Sequence, residues 1–440
     1  MLSKLKLEYV ESAWIICNQL TINDPELLSE SITLFQKNLK FVLEKFSSKN
    51  LIFSGLFDAH TERQLIKRLQ PISNFKITNG FHNFQYSTFG RMNDFEKDVI
   101  DDMHKFQANN SNFVLLNDVS PTIIAENGEK IFVDDLVEHF GMNSGKKLKD
   151  GIKIVKKIKS STKFIPILYG KNEEQINQYS KSLLSQINKS DLGFVAALAC
   201  ESGANNFESL NNFLIVQHLD IPTSLKKHTH LLNLMDLNNI APILTLIRNG
   251  LTPNIERLSF DTNLHTSSYI YGKIQQSSEH IKNFTKISRL GLNKNHNVKI
   301  RFTELIDFWK DSDTFNFVDL EDVFKHSIYD SEGINSPTKQ LKERNNSDYL
   351  KNVNLIQMYI LFNIFKYLST IFDFIEDKIG FYDLFRNDKF VTMYNGLANI
   401  TSMDEYYDWL KLASNKYRLQ STASVQSLKD LKNDPTVLLF

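Results

Sequence analysis

The feature that most restricts how this chain can fold is a repeated alternation, through its middle, of short apolar runs with helix-like segments. The runs are Leu51–Leu56, Phe75–Thr78, Phe113–Leu116, Phe164–Leu168, Phe194–Ala199, His230–Met235, Arg257–Phe260 and Val298–Phe302. Most are apolar at several consecutive positions, as strands covered on both faces must be. Helical patterns lie between them: Thr61–Leu69, Asp94–Phe106, Gly151–Ile158, Glu173–Ile187 and Leu237–Arg248. A strand followed by a helix, eight times over about 250 residues, is the arithmetic of a (β/α)8 TIM barrel. An open doubly wound sheet also alternates, but it has no reason to stop at eight. The expected class is therefore α/β, a TIM barrel with helices before it and a helical extension after it.

The flanks divide the rest. Residues 1–50 read as an N-terminal helical segment, in which Asn23-Asp24-Pro25-Glu26 is a helix start for the apolar-periodic stretch Pro25 to Phe46. The barrel domain is expected over 51–326. A polar, turn-rich stretch at 327–347 reads as a linker or exposed loop, and 348–440 as an aromatic-rich helical extension able to dock a partner protein. One stretch, Val353 to Ile375, is long enough to cross a bilayer. Asn354, Gln357, Asn363, Lys366 and Asp373 interrupt it, so it is expected as a buried helix, with no membrane partner. Cys17 and Cys200 cannot build a disulfide framework or a four-thiolate zinc site, and a reduced, cytoplasmic setting is expected. The 51 basic residues balance 51 acidic ones, so any nucleic-acid contact must come from a local patch.

Barrel enzymes carry their chemistry at the C-terminal ends of the strands. In order, those ends carry Asp58; Asn79-Gly80-Phe81-His82; Asp118-Val119-Ser120-Pro121; Tyr169-Gly170-Lys171; Cys200-Glu201-Ser202-Gly203; Asp236; and Asp261-Thr262-Asn263. Lys299 and Arg301 stand two apart on the eighth run. Turns favour Asp, Asn and Gly for reasons of their own, so no one position is diagnostic. Their order is.

Read in that order, the chain resembles the tRNA-guanine transglycosylase superfamily over roughly residues 50–275. Those enzymes exchange a guanine for a 7-deazaguanine without cutting the nucleic-acid backbone. The family's DSGGFQ-type segment is similar to TNGFHNFQ (78–85), and its Asp-x-x-Pro to Asp118-Val119-Ser120-Pro121. Its V-Q-G segment resembles IPILYG (165–170), its GGLAVGE segment AALACES (196–202), and its Phe-Asp pair after strand seven Phe260-Asp261. The chain departs from the family in several places. The C-x-C-x-x-C zinc cluster is absent, the acid of DSGGFQ is replaced by Asn79 or Thr78, and Tyr169 stands for the glutamine of V-Q-G. These departures resemble the DNA-directed, DpdA-type branch of phage and bacterial 7-deazaguanine DNA modification.

The resemblance implies a glycosyltransferase acting on DNA, or alternatively on tRNA, with preQ0 or a related 7-deazaguanine base as second substrate. A non-catalytic nucleic-acid-binding barrel subunit is the reading from another class. Asp261 is the implied nucleophile, because a carboxylate that traps C1′ covalently divides one hard substitution into two easier ones. Asp118 would accept from the guanine edge; Asn79, Phe81, Tyr169, Gly170, Ala197 and Leu198 would line the base. Asn79 cannot titrate, so Asp58 or Glu201 is expected to handle protons. Lys299 and Arg301 would meet phosphate, as would the seven lysines between Lys146 and Lys159 if that helix faces the substrate. His228-Thr229-His230 supplies two imidazoles without an evident third ligand. No cofactor is expected; zinc is the alternative, with the family's cysteine cluster absent.

Overall fold

The strands form where apolar runs can be covered on at least one side by helices. A computed structural model describes residues 2–11, 37–58, 80–83, 105, 108–109, 112–115, 121–124, 130–170, 172–198, 206–232, 237–261, 307–312, 361–362, 364–384 and 388–417. Its architecture is mixed α/β around a parallel sheet. The strands are β1 (Lys6–Glu11), β2 (Leu51–Asp58), β3 (Gly80–Asn83), β4 (Phe113–Leu115), β5 (Thr122–Ile124), β6 (Lys130–Phe132), β7 (Lys163–Ile165), β8 (Ile167–Leu168), β9 (Val195–Leu198), β10 (His228–Leu232) and β11 (Arg257–Asp261). Nine form one sheet in the order β7-β4-β3-β2-β1-β11-β10-β9-β8, while β5 and β6 make a separate antiparallel pair. Every pairing in the large sheet is parallel. The strands at its two ends, β7 and β8, are separated in sequence by Pro166 alone. Phe164 of β7 pairs with Val114 on one side and bridges Leu192 on the other, where Gly193 N donates to Phe164 O at 2.9 Å.

One face of the sheet is apolar and meets the helices. Leu7, Tyr9, Leu258 and Phe260 are fully buried there, with the Tyr9 and Phe260 rings edge to face at 5.6 Å. The described helices of eight residues or more are α1 (residues 37–44), α2 (Val137–Lys157), α3 (Glu173–Leu184), α4 (Asn206–His218), α5 (Leu237–Arg248), α6 (residues 364–375) and α7 (Met403–Tyr417). Helix α2 buries Gly141, Ser144, Gly145, Leu148, Ile152 and Val155 at helical spacing, and the Ser144 hydroxyl meets Tyr179 Oη of α3 at 2.7 Å. Asn172 caps α3 by accepting from Gln175 N at 2.9 Å.

Several boundaries differ from the sequence reading. Residues 6–11, expected within the helical N-terminal segment, form the central strand β1. Three of its six residues are charged, which hid it, yet Leu7 and Tyr9 alternate into the core. The segment TNGFHNFQ was expected to follow a strand; Gly80–Asn83 is itself the strand, pairing Gly55 with Gly80. Helix α2 begins well before Gly151 and ends within a residue of the expected Ile158. Helix α4 was not anticipated, because residues 210–217 are buried all round and show no polar face. Helix α5 has the bounds expected for it. The run Val298–Phe302 and the stretch 327–347 lie outside the described residues.

Helix α6, expected as part of a docking extension, is packed into the chain's own core. Tyr367 lies edge to face with Phe260 at 6.1 Å, and Phe46, just beyond α1, meets Phe365 at 5.5 Å and Phe372 at 5.7 Å. On its other flank Arg248, closing α5, stacks 4.1 Å over the Phe374 ring and donates to Phe374 O. Asn249 donates to the carbonyls of Ala398 and Ile400, tying in the segment before α7. Among the described residues no helix is long and apolar enough to cross a membrane.

Candidate functional site

In a parallel sheet all strands end at the same edge, so register decides which terminal residues are neighbours. Asp261 is the last residue of β11 and stands opposite Val10 of β1. Asp58 is the last residue of β2, opposite Asn83 of β3. Ala197 and Leu198 close β9 opposite Leu231 and Leu232. Phe81 lies within β3, opposite Leu56 and Phe113. Four of the expected positions, Asp58, Asp261, Ala197 and Leu198, thus share the C-terminal edge of one sheet.

The others divide. Tyr169 is buried with its ring edge to face against Tyr179 of α3 at 5.4 Å, which turns the phenol toward the helix layer. Gly170 allows that turn: a Cβ there would lie 2.5 Å from Ile176 N. Pro121 is buried and its carbonyl accepts from Val133 N at 2.8 Å, which ties it to the β5–β6 pair. Asn79, Asp118, Glu201, Lys299 and Arg301 lie outside the described residues.

Below that edge, the face of the sheet opposite Leu7 and Phe260 carries a buried polar cluster. It arises from residues two apart on three adjacent strands: Glu8 on β1, Arg257 and Ser259 on β11, and His228 and His230 on β10. Arg257 Nε donates to Glu8 Oε2 at 2.6 Å, and a terminal guanidinium nitrogen bonds the same oxygen. His228 Nε2 lies 3.5 Å from Glu8 Oε2 and 2.7 Å from Ser259 Oγ; His230 Nδ1 lies 3.0 Å from that hydroxyl. Glu8 is 1 % exposed, and His230 and Ser259 are fully buried. The Phe194 ring stacks on His228 with centroids 3.5 Å apart. Burial, the Arg257 charge and the neighbouring His230 hold the His228 imidazole well below its usual range, leaving it uncharged at neutral pH.

A carboxylate, an imidazole and a serine in one cluster suggest a nucleophilic triad, but the geometry is not one. In a triad the carboxylate and the serine bind opposite ring nitrogens. Here Glu8 and Ser259 both face Nε2 of His228. Nor do the two histidines form a metal fragment with Glu8, whose Oε2 already holds Arg257. Among the described residues no group of three or more His, Cys, Asp or Glu is placed to hold a metal ion. The sequence reading passed over Glu8 and Arg257. The legible signal was Arg257, Ser259 and Asp261 alternating with Leu258 and Phe260, a strand with one polar and one apolar face.

The lysines of α2 are less well placed than their number suggests. Lys153 pairs with Asp150 and Lys156 with Asp191, each at 2.7 Å. The helix ends one short turn before Lys163 opens β7, so Lys156, Lys157 and Lys159 lie toward the sheet's N-terminal edge, away from Asp261. Lys146 is about 16 Å nearer the opposite end of the helix than Lys157. No protein-family model matches this chain, and no characterised protein is significantly similar to it in sequence.

Proposed function

We propose that this chain is a DNA-guanine transglycosylase on a closed (β/α)8 barrel, replacing guanine by a 7-deazaguanine such as preQ0. Closure is supported by the strand order. With residues 163–168 counted as one strand kinked at Pro166, nine strands become eight, and the two ends of the order meet in it. Helix α6, touching both α1's end and α5 over Phe260, then occupies the outer position between the last strand and the first. Counted this way the strand ending in Asp261 is the eighth, not the seventh, and β1 is the first.

The observation that carries the functional reading is the position of Asp261. It ends a strand with a buried, hydrogen-bonded face, at the edge where barrels do their chemistry, beside β1 and on the same edge as Asp58 and the Ala197-Leu198 backbone. In the reaction its carboxylate attacks C1′ as the bond to guanine N9 breaks, giving a covalent glycosyl ester. The incoming base then attacks C1′ and frees the carboxylate. A guanine in duplex DNA must be extruded to reach a strand-end site, at a cost of about a few kcal/mol.

The test is exchange of labelled guanine, run in parallel on DNA and on tRNA with preQ0 as incoming base. Exchange on DNA that falls by at least about a thousandfold in Asp261→Asn, with the variant folded and still binding DNA, supports the reading. Exchange on tRNA alone moves the reading to the tRNA-directed enzyme. No exchange on either polymer by a folded chain that binds nucleic acid replaces it by the non-catalytic subunit.

A further inference from the structure

The lysines that the strand-end site leaves unused gather at the opposite edge of the sheet. The segments that lead into and open β7, β9, β10, β11 and β1 are residues 156–163, 185–194, 219–227, 249–257 and 2–6. Together they hold ten lysines and arginines and three acids, in a chain whose net charge is zero. Each acid is engaged. Lys156 Nζ meets Asp191 at 2.7 Å, Lys227 Nζ meets Glu256 at 2.6 Å, and the charge of Asp220 acts on the buried Lys226. Arg257 is held by Glu8. Lys4, Lys6, Lys157, Lys159, Lys163 and Lys189 are exposed, and among the described residues no carboxylate lies within ion-pair distance of them.

The backbone holds these six in two adjoining groups. Phe164, next to Lys163, bridges Leu192, and the Lys156–Asp191 pair ties the end of α2 to the turn that carries Lys189. Lys6 N donates to Glu256 O at 3.0 Å, and Lys6 is in register with Arg257. Phe194, stacked on His228, joins the two groups. Lys159 adds an independent observation. Ser160 N donates to Val155 O and Lys159 N to Lys156 O, so α2 closes in a Schellman turn with Lys159 at its left-handed position, φ 56°. Glycine is the usual occupant there, because a Cβ is disfavoured. The helix dipole does not ask for this third cation, since Lys156 and Lys157 already stand in the last turn.

We infer that this edge is a second nucleic-acid surface, which takes the phosphate backbone of a duplex segment other than the one at Asp261. The choice of DNA as the polyanion rests on the transglycosylase reading; the charge of the edge does not. Lysines are point charges that meet phosphate without reading sequence. The exposed large apolar side chains, Leu136, Tyr407 and Leu412, all lie on other segments. Among the described residues the edge thus has neither a stacking platform for single strands nor an apolar anchor for a membrane. Lys6 and Arg257 stand about 13 Å of strand rise below Asp261, and the two edges face opposite ways. DNA is stiff over roughly 150 base pairs, so a short duplex meets one edge only. A long DNA meets both, and its second contact keeps it near the strand-end site.

The experiment compares the wild-type full chain with the triple variant Lys6→Gln, Lys159→Gly, Lys163→Gln. Glycine at 159 suits the left-handed turn, so Lys159→Gly alone is expected to melt no lower than wild type. Binding of a duplex of about 20 base pairs is titrated by fluorescence anisotropy and sedimentation at about 50–200 mM salt. Two duplexes per wild-type chain and one per variant chain support the surface, with the salt slope of the lost site reduced by about 0.9 for each lysine removed. Guanine exchange gives a separate readout. In the variant KM on plasmid-length DNA is expected to rise about tenfold or more, while kcat and KM on the short duplex stay within about twofold. A merely structural role moves both substrates alike, and that result overturns the proposal. So does a wild type whose stoichiometry and salt slope the variant retains, a wild type that binds no duplex, or variant-sensitive binding to phosphatidylserine vesicles without binding to DNA. If the wild type exchanges nothing on either polymer but binds a duplex that the variant loses, the transglycosylase reading falls and the basic edge stands.

Discussion

His228 shows how one side chain ties the interior of this protein to pH. Its folded-state pKa is depressed by burial first, then by Arg257 and His230. In the unfolded chain the same imidazole titrates near 6.5. Between the two values the unfolded state binds a proton that the folded state refuses, so stability rises with pH through that window and falls on acidification below about pH 6.5. The contribution is at most about 1.4 kcal/mol for each pH unit until the folded value is reached. Urea unfolding at about pH 7.5, 6.5 and 5.5 is expected to show this slope in the wild type and a flatter one in His228→Gln, whose amide donates like Nε2 but does not titrate. Equal slopes would mean that His228 takes up its proton in the fold as readily as outside it. The rest of the cluster shows why a single sequence conceals such sites. Glu8 is intelligible only beside Arg257, 249 residues away. On its own strand it reads as one more charge breaking an apolar run. His228 and His230 were visible as a pair, but the hydroxyl that joins them comes from another strand.

At the scale of elements, what was legible depended on whether a segment's own residues keep a period. Helix α5 is as fully buried over 240–247 as α4 is over 210–217, yet Ile240, Ile243, Leu244 and Ile247 recur at helical spacing and its bounds could be read from them. Helix α4 is enclosed on every side and has no period to read. Strand β1 lies beside β11, which is polar on one face and apolar on the other, so its alternation of Leu7 and Tyr9 with Lys6 and Glu8 looks like a surface segment. Helix α6 was recognised as buried from its composition, and only the partners that bury it were missing: Phe46, Phe260 and Arg248, all distant in sequence. Those partners make a prediction. Phe372 is 5 % exposed and sits against Phe46, so Phe372→Ala removes an aromatic from the contact between α6 and the N-terminal part of the chain. A loss of about 3–5 kcal/mol in the main unfolding transition is expected, measured by denaturant titration of the whole chain. An early, separate transition that carries the whole loss would instead mark 348–440 as an extension that unfolds on its own.

For the whole molecule, the question is whether the sheet has edges. An open nine-stranded sheet has two, and here both would fall on one stretch, residues 163–168. Edge strands leave a row of amides bonded to water, and these exchange with solvent far faster than amides inside a sheet. In a closed barrel there is no such row. The pairings around Phe164 favour the second case, since it is bonded toward β4 on one side and toward Gly193, just before β9, on the other. Pro166 fits the same picture, for a residue with no N–H is tolerated where a strand changes partners and its lost bond is not missed. Native-state hydrogen exchange distinguishes the two. Closure predicts that the amides of Phe164, Ile165, Ile167 and Leu168 are protected to within about tenfold of those of Leu258, Ser259 and Phe260, and open with them in one cooperative event. Exchange at 163–168 faster by several orders of magnitude, with 257–261 still protected, would make the sheet open. The strand-end site would then lose its far wall, because Ala197 and Leu198 would stand near one free margin of the sheet and not across a closed mouth from Asp58.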